Sequence, residues 1–200
     1  MNNSDSYKTI AEISEGSYSE LRSKFIAFAL PVQTAEEVKE KVDAYRKQFY
    51  DARHICWAYM LGADRKQFRV NDDGEPSSTA GKPILGVINS NELTDILIVV
   101  VRYFGGVKLG TSGLIAAYKA AAQDAVINAE IVTRTVDERF TLVCEYAFVN
   151  GIMKIIKDLS PTVVSQKFDM NCEFILQIRK NDAELLRQKL LKVETARIIK

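Results

Sequence analysis

The chain has 200 residues, 47% of them hydrophobic and 26% charged, with a formal net charge of +1. That composition supplies a core and excludes a generally disordered chain. So small a net charge also excludes long-range attraction of the whole molecule to nucleic acid or anionic membrane, so any such binding has to be local.

The start, MNNSDSYKTI, lacks the basic segment followed by an apolar run that a secretion signal needs. Strands are expected at 9–13 and 21–30, around a turn at Gly16. A helix follows: Thr34 and Glu37 form an S/T-x-x-E capping box, and Ala35, Val38, Val42, Tyr45 and Phe49 recur at helical spacing. Two short strands, 55–60 and 67–71, are joined through Gly62-Ala63-Asp64, which has the composition of a hairpin turn. Lys82-Pro83-Ile84 predicts a short helix, since proline is tolerated in a first turn. The run DILIVVVRYF is apolar without alternation, as a central strand covered on both faces would be. Beyond GGVKLGTSG, the residues Leu114, Ala117, Tyr118, Ala121, Ala122, Ala125 and Ala129 make an alanine-rich helical face suited to close packing on a sheet.

The texture changes near 131–136. Val136, Glu138, Phe140, Leu142, Cys144 and Tyr146 share one side of a strand, and a helix from about Val149 ends at Ser160-Pro161. Strands at 162–168 and 172–179 flank a turn at Asp169-Met170-Asn171. Asp182 is the expected cap of a last helix, and ARIIK an edge strand. This β-α-β-β-α-β order predicts a small ferredoxin-like α/β sandwich. Divided at Val132, the chain has 15 basic and 17 acidic residues before and 12 and 9 after, about −2 against +3. No apolar stretch approaches the ~20 residues that span a bilayer. Cys56, Cys144 and Cys172 form no C-x-x-C pair and alternate with apolar residues, as buried reduced thiols of a cytosolic protein do.

Three segments carry candidate chemistry. In VVVRYFGGVKLGTSGLIAAY a buried strand ends, glycines turn the backbone, and a helix begins near Ser112 with unpaired N–H groups at its start. That geometry favours an anion, with Arg102 and Lys108 adding charge. It equally fits a plain glycine-rich turn capped by Thr111 or Ser112. It is not a Walker A loop, because Thr111 stands where the lysine belongs. In NDDGEPSSTAGKPI, Asp72, Asp73 and Glu75 surround Gly74. They suit a hard cation or general-acid work, or simply a turn whose side chains bond nearby backbone. His54 is the sole histidine, a base or hydrogen-bond anchor on the one reading and a half-buried core histidine on the other.

RHICWAY (53–59), NDDGEPSSTAGKPIL (71–85) and VVVRYFGGVKLGTSGLIAAY (99–118) together resemble the Impact/YigZ family, also called uncharacterised protein family 0029. The resemblance implies an α+β protein: an N-terminal domain like ribosomal protein S5 domain 2 over residues 1–132, then a ferredoxin-like domain over 133–200. It implies no established catalysis and no cofactor. Eukaryotic relatives regulate translation under amino-acid stress through a protein partner, using an additional N-terminal domain. His54, Asp72, Asp73, Glu75, Thr79, Gly81, Arg102, Tyr103, Gly105, Gly106, Lys108 and Gly110 occupy the family's motif positions. With Thr111 they form the expected binding surface. Ser78 and Ser112 stand where glycines are usual, and Ala116 replaces a frequent arginine.

Two functions follow from these features. The leading one is a non-enzymatic cytoplasmic binding protein linked to translation or its regulation. It would bind nucleic acid, namely RNA, or the ribosome or a ribosome-associated protein, without DNA sequence specificity or membrane attachment; phosphates would meet Lys108 and Arg102, and Tyr103 would stack on bases. The alternative is an enzyme acting on a phosphorylated small molecule or nucleotide, with Mg²⁺ held by Asp72, Asp73 or Glu75.

Overall fold

The computed structural model describes residues 5–199, so Met1–Ser4 of the chain start and Lys200 of ARIIK lie outside the described residues. Two compact units divide the chain: Tyr7–Arg134 forms one, and 135–199 with Asp5 and Ser6 the other.

In the first unit, β1 (Ser6–Ile10) pairs with β7 (Ile131–Thr135), and a five-stranded sheet has the order β2-β3-β6-β4-β5. Its strands are β2 (Ser14–Glu20), β3 (Ser23–Pro31), β4 (His54–Leu61), β5 (Gln67–Asn71) and β6 (Ile96–Tyr103), each antiparallel to its neighbours. Strand β6 is central. Ile96, Ile98 and Val100 pack under α2 (Gly81–Ser90) and α3 (Gly110–Ile127), while Leu97, Val99 and Val101 pack on the opposite core beneath α1 (Ala35–Gln48). Both faces are covered, so neither parity of the strand can be polar; this is why the run is apolar without alternation. Helix α1 starts as expected, with Thr34 Oγ1 accepting from the Glu37 N–H at 3.1 Å. The Glu37 carboxylate accepts from the Gln33 N–H at 2.8 Å.

Gly16, expected to mark a turn, lies inside β2. A Cβ there would sit 2.1 Å from the backbone nitrogen of Ala125, so the glycine serves a close helix-on-strand approach. The turn falls instead at Leu21 and Arg22, both with positive φ. The expected strand at 9–13 is shifted to Ser6–Ile10. Helix α3 begins at Gly110, two residues before Ser112, and neither Thr111 nor Ser112 caps it; Leu109 is the N-cap and makes no side-chain cap bond.

The second unit runs β8 (Asp137–Cys144), α4 (Val149–Leu159), β9 (Thr162–Phe168), β10 (Cys172–Arg179), α5 (Lys180–Leu190) and β11 (Arg197–Ile199). Its antiparallel sheet has the order β11-β8-β10-β9. Alternation on β8 and β10 sends Phe140, Leu142, Cys144, Cys172, Phe174 and Leu176 into a core closed by Ile152, Ile156, Leu186 and Leu190. Val136 precedes β8, and Tyr146 is exposed in a short 3₁₀ turn after it. Asp182 sits in the first turn of α5 without capping it; Arg179 is the N-cap. Ser160 ends α4 in the left-handed conformation, as its place before Pro161 allows.

Candidate functional site

Strand parity assembles the site. His54 and Arg102 are register partners on neighbouring strands, so they share the α2/α3 face with Cys56. Tyr103 has the opposite parity and lies on the other face, its hydroxyl donating to Asp51 at 2.9 Å; it does not join the site expected of it.

The loop 71–80 is a turn first. Asp73 and Gly74 both adopt positive φ, the Glu75 N–H bonds the Asp72 carbonyl at 2.8 Å, and Asn71 Oδ1 accepts from the Asp73 N–H at 2.7 Å. The Asp72 carboxylate is turned inward, accepting the N–H groups of Ser78 (2.8 Å), Ala80 (3.1 Å) and Gly81 (2.8 Å), so it caps α2 from outside the helix. Asp73 accepts from the Ile55 N–H and from Arg46, each at 2.7 Å. Thr79 is buried and bonds the Pro76 carbonyl at 2.7 Å, and Gly81 packs against the Asn71 backbone. Asp72 and Asp73 are thus consumed by the loop, and the described residues contain no group of three or more metal-type ligands.

Glu75 is the exception. Its side chain is 3% exposed and accepts from Arg102, whose side chain is 6% exposed, and from the Tyr118 hydroxyl at 2.8 Å. Tyr118 in turn accepts from Cys56 Sγ at 3.3 Å. Burial raises the Tyr118 pKa well above the usual phenol range, reinforced by Cys56 and Glu75. Burial likewise pushes the Cys56 thiol up; the Tyr118 bond opposes that shift, and the carboxylates of Glu75, Asp73 and Asp72 add to it. Both groups therefore stay protonated, and Cys56 is no nucleophile. His54 places Nδ1 2.8 Å from the Asp73 carbonyl. A carbonyl only accepts, so Nδ1 carries the proton of that bond, and Nε2 lies 3.8 Å from Glu75 Oε1.

In front of this buried group opens a pocket of about 530 Å³, walled by Arg53, His54, Glu75, Pro76 and Arg102 on one side and Phe104, Lys108, Leu109, Gly110, Thr111 and Leu114 on the other. The two glycine-bearing segments and the histidine therefore meet. Of the expected residues, His54, Glu75, Arg102, Lys108, Gly110 and Thr111 line it. Gly105 is behind the wall, where a Cβ would collide with the Arg22 and Ser23 backbone; Gly106 and Gly110 supply positive φ for the loop. Residues missed in the sequence are Arg53, Pro76, Phe104, Leu109 and Leu114. Arg53 adjoins His54, and Phe104 ends the apolar run, but nothing local to either aims it at the pocket. A larger hollow of about 700 Å³ in the second unit includes Glu138 and Arg187, which neutralise one another as an ion pair. The pocket around His54 instead combines Arg53 and Lys108, which make no ion pair among the described residues, with a helix start that has no side-chain cap, so it is the candidate site.

These features define a class: a mixed α/β protein whose antiparallel sheet, covered on both faces, carries a cation-rimmed pocket over a buried carboxylate–guanidinium pair. The chain matches the Impact N-terminal domain over residues 21–126 and belongs to the IMPACT family. It is 34% identical over 183 residues to an IMPACT family member of Haemophilus influenzae, covering 89% of this chain and 87% of that one. It is 35% identical over 149 residues to IMPACT family member YigZ of Escherichia coli, covering 74% and 73%. A solved structure described as the crystal structure of a hypothetical protein superposes with a TM-score of 0.75 at 28% identity, covering 98% of this chain and 97% of that one.

Proposed function

We propose that the protein is a non-enzymatic binding protein linked to translation, whose pocket takes phosphate groups of RNA. The carrying observation is that Arg53, Lys108 and the start of α3 converge on one pocket beside Arg102. The first N–H groups of a helix and its dipole favour an anion, and two cations at the rim add a screened attraction. Phe104, 47% exposed on the same wall, offers the stacking face that Tyr103 does not. The link to translation rests on the family resemblance. The strand order β11-β8-β10-β9 supports reading the second unit as ferredoxin-like, and the first is read as resembling ribosomal protein S5 domain 2, with the domain boundary near residue 132. A cytoplasmic location fits the three free, buried cysteines.

Co-sedimentation with single-stranded RNA or ribosomes at rising salt tests the proposal. Binding should weaken with salt, and Arg53→Ala with Lys108→Ala should reduce the log–log salt slope by about 1.4, at roughly 0.7 per phosphate contact. No binding at low salt, or a slope unchanged in the double variant, refutes it.

A further inference from the structure

On the opposite face of the same sheet, odd-numbered residues of β4 look toward α1. Trp57 and Tyr59 stack there with ring centroids 6.0 Å apart and planes 12° from parallel. They are 9% and 8% exposed, so their faces are unavailable to a base. Trp57 Nε1 is nonetheless buried without an acceptor among the described residues. An indole N–H left in that condition is destabilising relative to one that is bonded.

Trp57 lines a groove of about 310 Å³ between α1 and the edge strand β5. Lys39 and Arg46 reach it from α1, and Arg69, the register partner of Tyr59, reaches it from β5. Arg46 is held by Asp73 at 2.7 Å, whereas Lys39 and Arg69 make no ion pair among the described residues. One carboxylate, Asp43, also borders the groove and leaves the balance positive. The groove is thus lined by an indole whose buried N–H lacks an acceptor and by the cations Lys39 and Arg69, and among the described residues β5 has no strand on its outer edge. A donor set of this kind fits an acceptor-bearing anionic side chain, and a free strand edge fits an extended backbone.

We propose that the groove between α1 and β5 is a second binding site, which takes a carboxylate side chain of an acidic peptide lying along β5. It is separate from the pocket around His54 and does not depend on the function proposed for that pocket. The chain has a single tryptophan, so one indole resonance reports the site. Titration of ¹⁵N-labelled protein with hexaglutamate should move the Trp57 Nε1–H peak and the amides of β5. Lys39→Ser with Arg69→Ser, both at exposed positions, should weaken the titration about tenfold, as losing two exposed ion pairs together would. Lys108→Ala should leave it unchanged. An indole peak that stays in place at saturating hexaglutamate overturns the proposal. So does a titration unaltered in the double variant, or one reproduced by hexalysine. A tighter response to an RNA oligonucleotide of equal charge overturns it in favour of a nucleic-acid site.

Discussion

Replacing Glu75 with alanine removes the acceptor shared by two buried donors. Arg102 would keep its charge, with Nη1 unpaired beside an Nε that already lacks an acceptor, and the Tyr118 hydroxyl would lose its carboxylate. Removing one member of a buried ion pair costs about 3–5 kcal/mol. Because Arg102 lines the pocket and can turn its head toward water, the lower end is expected, about 3 kcal/mol. Glu75→Gln keeps an acceptor for Tyr118 and should cost about 1–2 kcal/mol. Glu75→Leu combined with Arg102→Met leaves no buried charge and should be more stable than Glu75→Ala alone. Urea unfolding followed by Trp57 fluorescence reads this unit specifically, since the only tryptophan lies within Tyr7–Arg134. A loss below about 1 kcal/mol in Glu75→Ala, the range of exposed pairs, would show that the pair is solvated and refute the reasoning.

Further outcomes are expected at the loop, the sheet and the thiols. Ser78 holds φ +67°, so Ser78→Gly should stabilise by about 0.5–1 kcal/mol in the same urea assay, left-handed strain outweighing the added chain freedom. Gly16→Ala drives a methyl into the α3 backbone and should destabilise by about 2–3 kcal/mol or prevent folding, seen as loss of the cooperative fluorescence transition. Asp72→Ala strips acceptors from three N–H groups and should lose about 2–4 kcal/mol; Asp72→Asn should lose less. All three cysteines are free and buried, and burial raises the thiols of Cys56 and Cys144; a chromogenic disulfide reagent should therefore find no fast thiol at pH 8 in native protein and all three in urea. The raised Cys56 value has a signed consequence. Its contribution is complete below the unfolded thiol value of about 8.5 and falls as pH rises through and beyond it, so the urea midpoint should decline in alkali.

Much of the architecture was legible because it depends on local periodicity. The bounds of β9 and β10, the capping of α1 and the central place of β6 follow from the turn residues between two strand-like runs, a capping box and an unalternating apolar run. Gly16 was misread because glycine marks both turns and close approaches, and only the position of Ala125, more than a hundred residues away, distinguishes them. The caps expected at Ser112 and Asp182 failed for a related reason. Side-chain type permits a cap, but the backbone path into the helix decides whether it forms.

For the candidate site, sequence by itself determined the inventory: a lone histidine, an acidic turn, a glycine-rich helix start, and the family to which all three belong. It could not rank the carboxylates. Asp72, Asp73 and Glu75 are chemically alike and nearly adjacent, yet one caps α2, one ties down β4 and only Glu75 reaches Arg102 and Tyr118. Tertiary structure made that choice, because the direction of each side chain is fixed by the turn's dihedral angles and by which face of β6 its partner occupies. The same parity sent Arg102 into the pocket and Tyr103 away from it.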